Sequence, residues 1–269
     1  MQINFPLWGN GREDNGVWGN GREDNEAYLA IIIPKNLIFI PKTIPMKNLV
    51  VLSGAGVSAE SGISTFRDAG GLWEGHDIME VASPEGFSAN PTLVLDFYNK
   101  RRAQLHQVAP NKAHFCIAGL ERNYQVHVIT QNVDDLHERA GSSQVTHLHG
   151  ELKKSRSSEN SLEIQECHGD INLGDLSPDG SQLRPHIVWF GEEVPAMDQA
   201  IEIVSKADVL LIVGTSMQVY PAAGLKDFAP STTPIYFVDP APSLDSHGRL
   251  TVIKEKAGKG VQMVADLIS

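Results

Sequence analysis

One short stretch near residue 50 restricts the fold of this chain more than any other. Residues 49–52 form an apolar run typical of a buried β-strand, and the chain then breaks into Gly54-Ala55-Gly56 and continues to Ala59. This Gly-x-Gly-x-x-Ala spacing is typical of a strand–turn–helix unit that places a pyrophosphate at a helix N-terminus. Glycine suits the turn because a Cβ would keep the backbone amides away from a phosphate. An ordinary tight turn gives the same spacing, so the motif needs support from the rest of the chain.

The segment after this motif departs from a dinucleotide dehydrogenase. Such an enzyme continues into a second strand that ends in Asp or Glu about 20 residues later. Here residues 65–73 form a glycine-rich loop that carries Phe66 and Arg67. We therefore expect a loop that folds over a nucleotide as a lid. A surface loop between two helices is the alternative.

Composition excludes several classes of protein. The 269 residues, 41% hydrophobic and 20% charged, suit one large or two small globular domains. A net charge of −11 without a run of Lys or Arg argues against a nucleic-acid or membrane-surface partner. Two cysteines, Cys116 and Cys167, are too few for a disulfide framework or a four-cysteine metal site. No apolar stretch approaches the roughly 18 residues of a membrane span, and no secretory signal is present, so a cytoplasmic monomer is the default expectation.

The first 45 residues differ from the rest. Residues 8–15 recur letter for letter as residues 18–25, and two such polar copies neither build a stacked-repeat fold nor bury a core. The apolar segment that follows is interrupted by three prolines, so it can form at best an edge strand. We expect Met46 to be the functional start and residues 1–45 to be a disordered or non-native extension. Deleting them should leave activity and melting temperature intact, and a collapse of either would contradict this interpretation.

A helix is predicted from Asn90, a good N-cap, with Pro91 at its first position. Tyr98 and Arg101 lie three residues apart on this helix and are therefore neighbours on its surface. A phenol beside a guanidinium can hold a carboxylate through charge-assisted hydrogen bonds. Taken alone, the pair favours the alternative, a Tyr at the edge of the core and an Arg in solvent.

Polar residues follow two further strands. Residues 126–129 form a strand that leads into Gln131, Asn132 and Asp134, at the strand end where open α/β sheets bind ligands. The next strand carries His147 and His149 on one face. A metal site would need further ligands at a familiar spacing, and none follows. A single imidazole acting as a general base near neutral pH is the better interpretation.

The remainder of the chain returns to buried strands. Residues 207–213 are an apolar run that ends in Gly214-Thr215-Ser216, and residues 235–238 end in Asp239 in the same way. Residues 188–192 form another strand-like run, and further helices are predicted over 110–121 and 260–268. These elements predict an α/β fold with a Rossmann-like parallel sheet and helices on both faces.

Together these motifs resemble the sirtuin family of NAD-dependent protein deacylases. The similarity rests on Gly54-Ala55-Gly56-Val57-Ser58-Ala59-Glu60-Ser61-Gly62-Ile63, Thr65-Phe66-Arg67-Asp68, Gln131-Asn132-Val133-Asp134, His149-Gly150, Val188-Trp189-Phe190-Gly191-Glu192, Gly214-Thr215-Ser216 and Val219-Tyr220-Pro221-Ala222. It covers residues 46–269 as one catalytic domain, with a small module built from residues 70–110 and 151–186. Tyr98-x-x-Arg101 resembles the class III branch, which includes bacterial sirtuins and the mitochondrial desuccinylase type, and this reverses the preference for a solvated arginine.

The resemblance implies a reaction. NAD would lie across the strand ends and lose nicotinamide as the acyl oxygen of an acylated lysine attacks ribose C1′. His149 would then act as a base on a ribose hydroxyl, giving deacylated lysine and 2′-O-acyl-ADP-ribose. Acylated-lysine proteins would be the partners.

The resemblance also implies the binding residues. Those for NAD are Gly54, Ala55, Gly56, Ser58, Thr65, Phe66, Arg67, Gln131, Asn132, Asp134, Gly214, Thr215, Ser216 and Asp239. Asn132 and Asp134 would hold nicotinamide and its ribose, and Phe66 and Arg67 would close the lid. Those for the substrate are Tyr98, Arg101, Val188, Trp189, Phe190, Gly191 and Glu192. The last five would pair with the peptide by strand addition, and the first two would favour succinyl, malonyl or glutaryl chains.

Two positions depart from the family. Most sirtuins place two Cys-x-x-Cys pairs between Gly150 and Pro185, whereas Cys167 and His168 alone cannot close a tetrahedral site here. We therefore predict no zinc. The proposed apolar substitutes are Leu162, Ile164, Ile171, Leu173 and Leu176. Asp239 stands where the family usually has Asn, which puts its adenosine contact in doubt.

Two other functions stay open. One is a catalytically idle NAD or ADP-ribose sensor, against which the intact His149 argues. The other is ADP-ribosyl transfer to protein, which shares the first bond cleavage.

Overall fold

The computed structural model describes residues 28–33, 36–41, 45–64, 72–73 and 75–269. The chain divides into two compact units, Met1–Pro45 and Met46–Ser269. In the first unit, strands β1 (Tyr28–Ile33) and β2 (Asn36–Pro41) pair antiparallel in a two-stranded sheet. The second unit contains the glycine motif and all the residues to which the sequence assigns a role.

The elements of the second unit follow one another along the chain. The first half contains β3 (Asn48–Ser53), β4 (Leu72–Trp73), β5 (His76–Asp77), α1 (Ile78–Val81), α2 (Pro84–Ala89), α3 (Pro91–Leu105), α4 (Lys112–Gly119), β6 (Gln125–Thr130), α5 (Leu136–Arg139) and β7 (Val145–His147). The second half contains β8 (Gly150–Ser157), β9 (Ile164–Glu166), β10 (Leu183–Ile187), α6 (Met197–Val204), β11 (Val209–Val213), β12 (Ile235–Val238), β13 (Leu250–Ile253) and α7 (Ala257–Ile268).

The main sheet has six parallel strands in the order β13-β12-β11-β3-β6-β7. Its two central strands, β3 and β11, are apolar along their length because both of their faces are covered. Leu49 and Val51 of β3 pack with α4 and α7, whereas Val50 and Leu52 pack with α6 on the other face. The predicted Rossmann-like parallel sheet with helices on both faces is therefore confirmed.

The chain changes direction across the sheet between β3 and β11. From β3 it moves through β6 to β7, and it then returns to β11 and moves through β12 to β13 on the other side. In open α/β sheets the loops diverge at such a switch point and leave a crevice at the carboxyl ends of the strands. The loops that meet here begin at Gly54 and Gly214, so the topology itself marks the candidate site.

A smaller layer combines the helices before β6 with a second sheet. Strands β8, β9 and β10 form an antiparallel sheet in the order β10-β8-β9. Phe97 and Tyr98 of α3 share an apolar cluster with Leu152 of β8 and Ile187 of β10. Packing of α3 against both strands fixes the helix that carries the predicted Tyr98–Arg101 pair.

Two predicted elements differ from the structure. The residues after Gly54 form two short 3-10 turns, Ala55–Val57 and Ala59–Ser61, not an α-helix, and Gly62 ends the second with a φ of 92°. The strand predicted over residues 188–192 is wrong, since β10 ends at Ile187 and Gly191 turns the chain with a φ of 92°. The helices predicted over 110–121 and 260–268 are confirmed as α4 and α7. Each end of α4 lies two residues inside the predicted range, whereas α7 begins three residues earlier and ends at Ile268 as predicted.

Candidate active site

Three glycines bring the loops after β3 and β11 into direct contact. The Gly54 and Gly56 N–H groups donate to the carbonyls of Val213 and Gly214, at 3.1 and 2.8 Å. A Cβ on Gly56 would lie 2.7 Å from Gly214 Cα, and a Cβ on Gly214 would lie 2.2 Å from Val57 N. Glycine is therefore required for loop-to-loop packing, and two amides of the motif are occupied within the protein.

A buried serine after β3 contacts the loop after β6, which carries the two predicted nicotinamide residues. Ser58 is fully buried; its hydroxyl donates to Asp134 Oδ2 at 3.0 Å and accepts from Asn132 Nδ2 at 3.1 Å. Asp134 also accepts from the Leu136 N–H, which starts α5. Burial raises the pKa of Asp134 above its ordinary value, although these two hydrogen bonds partly oppose the change. The structure thus brings Ser58, Asn132 and Asp134 together, and their role in binding NAD stays a prediction.

Gln131 links this group to the loop after β11 and to the candidate base. Its side-chain amide donates to Thr215 Oγ1 at 3.1 Å, and its carbonyl lies 3.0 Å from His149 Nδ1. Thr215 is buried, and the neighbouring Ser216 accepts from the Ser243 hydroxyl through its backbone carbonyl. The ends of β3, β6 and β11 and the start of β8 therefore converge on one crevice.

The geometry fixes the tautomer of His149. A carbonyl oxygen can only accept, so Nδ1 carries the proton and the Nε2 lone pair remains available. Burial lowers the pKa of His149 below its ordinary value, partly opposed by the Gln131 hydrogen bond. The imidazole is therefore neutral at neutral pH, which is the form a general base requires.

Tyr98 and Arg101 are both buried. The Tyr98 hydroxyl accepts from Trp189 Nε1 at 3.0 Å, and burial raises the pKa of this phenol so that it stays protonated. Arg101 is 8% exposed, stacks over Phe97 and lines a small cavity that Asp134 also lines. The alternative of a solvated arginine is therefore wrong, and Arg101 faces the same cavity as Asp134.

Residues 188–192 are held as a turn by a charged clamp. The Glu192 carboxylate binds Arg184 at 2.7 Å and Arg156 at 3.1 Å, and it accepts from the Trp189 N–H at 2.8 Å. Burial would raise the pKa of Glu192, but these hydrogen bonds and the two guanidinium charges lower it below its ordinary value. Arg184 also stacks on the Trp189 ring at 3.3 Å. The side chains of Trp189 and Glu192 thus face the interior, while Phe190 is 43% exposed.

Comparison with known proteins identifies the family. The model of the Sir2 family matches residues 54–221, which is more than half of the chain. This chain belongs to the Sir2 family. An NAD-dependent protein deacylase of Helicobacter pylori strain J99 is 63% identical over 195 residues, covering 72% of this chain and 83% of the relative. Another of that name from Bacteroides thetaiotaomicron is 52% identical over 231 residues, covering 83% and 98%.

Solved Sir2 structures share the fold. A Sir2 homolog in complex with NAD superimposes with a TM-score of 0.72 at 40% identity, covering 83% of this chain and 91% of the other. A Sir2 protein bound to acetylated peptide gives a TM-score of 0.69 at 28% identity, covering 82% and 93%.

The small module of this Sir2 chain is held differently from our expectation. Of the five residues proposed as its apolar core, only Ile171 is buried, with Leu95, Cys167 and Leu183. The other four are between 45% and 87% exposed. A polar network joins the loops of this module. The Ser157 hydroxyl lies 2.6 Å from both Asp179 Oδ2 and Ser181 Oγ and accepts two backbone N–H groups.

Further predictions concern residues and groups outside this crevice. Thr65, Phe66 and Arg67 lie outside the described residues, so the lid remains a prediction. Asp239 is buried and accepts from the Ala241 N–H at 2.8 Å. Within the described residues, no three His, Cys, Asp or Glu side chains gather as a metal site would require, and the absence of zinc stays a prediction. No helix in the described part of the chain is long and apolar enough to cross a membrane.

Sequence reasoning missed a buried polar row beneath the Sir2 site. Ser53 at the end of β3 donates to Thr130 Oγ1 at 2.9 Å and lies 2.9 Å from His137 Nε2. Thr130 Oγ1 in turn accepts from the Asn132 N–H at 3.0 Å. A polar residue that closes an apolar strand, as Ser53 and Thr130 do, was the available signal.

Proposed function

We propose that this protein removes acyl groups from lysine side chains of proteins in an NAD-dependent reaction. The observation that carries the proposal is His149, kept neutral by burial and oriented by the Gln131 carbonyl, beside the Ser58–Asn132–Asp134 group. Both lie at the switch point of the sheet, and the relatives in Helicobacter and Bacteroides are named NAD-dependent protein deacylases.

The residues at the switch point fit NAD by the chemistry of their donors and acceptors. Asn132 and Asp134 each keep hydrogen-bonding capacity beyond their bonds to Ser58, which suits a carboxamide and ribose hydroxyls. Gln131 and Thr215 add further polar groups at the adjoining strand end. When bound, NAD supplies a ribose carbon whose nicotinamide can leave. The protein then orients the acyl oxygen toward that carbon, excludes water, and accepts a ribose hydroxyl proton at His149 Nε2.

Product analysis tests the proposal. Purified protein is incubated with NAD and acetyl- or succinyl-lysine peptides, and the products are quantified by mass spectrometry. We expect deacylated peptide, nicotinamide and acyl-ADP-ribose in equal amounts. Label from NAD on protein would indicate ADP-ribosyl transfer instead, and NAD binding without turnover of either peptide would favour a sensor.

We also infer a preference for acidic acyl chains. Arg101 is buried beside the Asn132–Asp134 loop, and Tyr98 lies one helical turn away with its hydroxyl at Trp189. A succinyl carboxylate entering this region would gain charge-assisted hydrogen bonds that an acetyl group does not use. The 188–192 turn, shaped by Glu192, would present its backbone to the peptide.

Arg101→Met separates these substrates. We expect kcat/KM for succinyl-lysine peptide to fall about 10- to 100-fold, the loss of a charged hydrogen-bond partner, while acetyl-lysine turnover changes little. Lys100→Met is the matched control, since Lys100 is the adjacent residue but is 75% exposed and paired with Asp96. Equal effects of both substitutions on the two peptides would show that Arg101 does not select the acyl chain.

A further inference from the structure

His147 places both of its ring nitrogens against hydrogen-bond acceptors. Nδ1 lies 2.9 Å from the backbone carbonyl of Asn132, and Nε2 lies 2.7 Å from Glu138 Oε1. Neither a carbonyl nor a carboxylate can donate, so both nitrogens must carry a proton to make both bonds. The side chain is 8% exposed. Both hydrogen bonds can form together only on an imidazolium, two residues away from His149, which must be neutral to act as a base.

This bridge completes the restraint on the Asn132 backbone. The Asn132 N–H donates to Thr130 and its carbonyl is held by His147, so the peptide units on both sides of the residue are fixed. Glu138 belongs to α5, the helix that starts where Asp134 accepts the Leu136 N–H. The bridge thus ties the loop between β6 and α5 to the end of β7.

We propose that the His147–Glu138 bridge is a positioning device that holds Asn132 and Asp134 in the geometry that NAD binding requires. The inference rests on the proposed function, because it deepens the role of the same site. His147 does not touch the reacting atoms; it acts through the Asn132 carbonyl.

The charges around His147 set the direction of its pH dependence. Burial lowers the pKa of His147, but the hydrogen bond and charge of Glu138, the Asn132 carbonyl and the charge of Glu151 outweigh it and raise the pKa above its ordinary value. Asp134 faces it from the loop with a pKa raised by burial. His137 of α5 has a pKa well below its ordinary value and stays neutral.

The sign follows from these directions. A raised pKa means that the bridge is complete below that pKa. Above it the neutral ring keeps its one proton on Nε2, since the Glu138 carboxylate is the stronger acceptor, and the bond to the Asn132 carbonyl is lost. His149 behaves in the opposite sense, since its lowered pKa makes the base available at all but acidic pH. Deprotonation of His147 therefore limits activity at high pH, and protonation of His149 limits it at low pH.

Glu138→Gln tests the bridge without removing it. The amide can donate to Nε2, so a neutral His147 with its proton on Nδ1 keeps both bonds at every pH. For the wild type we expect the KM for NAD to rise about tenfold as the pH rises from the ordinary pKa of histidine through the raised pKa of His147, whereas the KM of the variant stays flat. A wild-type KM that does not change, or a variant that follows the same rise, would overturn the proposal.

Two substitutions of His147 provide matched controls. The amide of His147→Asn can reach the position of Nδ1 and keep the bond to Asn132, whereas the amide of His147→Gln can reach the position of Nε2 and keep only the bond to Glu138. We expect a low, pH-independent KM for the first and a raised KM at every pH for the second. The same KM for both would contradict a role that acts through the Asn132 carbonyl.

A readout independent of turnover separates this inference from the proposed function. At the ordinary pKa of histidine, nitrogen-15 NMR of His147 should show protons on both ring nitrogens in the wild type and on Nδ1 alone in Glu138→Gln. Calorimetric titration with ADP-ribose, which needs no acyl substrate, should follow the same pH pattern as KM. If NAD-dependent deacylation is absent but these patterns hold, the bridge stands and the proposed reaction fails; a singly protonated wild-type ring refutes the bridge.

Discussion

Replacing His149 with asparagine should lower the kcat of deacylation by about a thousandfold while leaving the fold intact. The asparagine amide can occupy the position of Nδ1 and donate to the Gln131 carbonyl, so the local hydrogen bond survives. What is lost is the Nε2 lone pair, which has no counterpart in an amide nitrogen. The comparison therefore removes the base and little else, and an unchanged melting temperature would verify this.

The two halves of the reaction should respond differently to this substitution. In the proposed sequence the nicotinamide bond breaks before the base is needed, so exchange of labelled nicotinamide into NAD should persist in His149→Asn. In the wild type, the acid limb of kcat should lie below the ordinary pKa of histidine, because burial lowers the pKa of His149. A variant that deacylates at the wild-type rate, or loses exchange and deacylation equally, would exclude His149 as the late base.

The sequence predicted those parts of the fold that depend on local pattern. The uninterrupted apolar runs of β3 and β11 require cover on both faces, and this places them at the centre of a parallel sheet between helices. Polar residues directly after strands, such as Asn132 and Asp134, were expected to meet at one sheet edge and do so through Ser58. The pattern of apolar residues, and the position of polar residues directly after the strands, were sufficient to predict these features.

Features that depend on distant partners could not be predicted. The apolar neighbours of Glu192 predict a strand, but Arg156 and Arg184, which precede it by 36 and 8 residues, hold its segment as a turn. The leucines of the small module are apolar and were predicted to form its core, but they are exposed. A network of hydroxyl and carboxylate groups around Ser157 holds the loops there instead. In both cases long-range hydrogen bonds override local preference, and a single sequence does not reveal its pairings.

Gly214→Ala should be strongly destabilising. Its Cβ would lie 2.2 Å from Val57 N and 2.5 Å from Gly56 C, both backbone atoms that cannot rotate away. The φ of 64° adds left-handed strain, so we expect a loss of about 3–5 kcal/mol in the free energy of unfolding. Because the methyl group separates the loops after β3 and β11, affinity for NAD should fall as well.

Gly62→Ala is the control that separates backbone strain from steric overlap. Gly62 has the same sign of φ, 92°, but a Cβ there meets nothing within 4 Å. We expect it to cost about 1 kcal/mol, the left-handed strain alone, and to leave NAD binding unchanged. Urea unfolding of both variants gives the comparison. Equal losses in the free energy of unfolding would mean that glycine is needed at both positions only for its positive φ angle. A much larger loss for Gly214→Ala would establish that the loops after β3 and β11 require direct backbone contact.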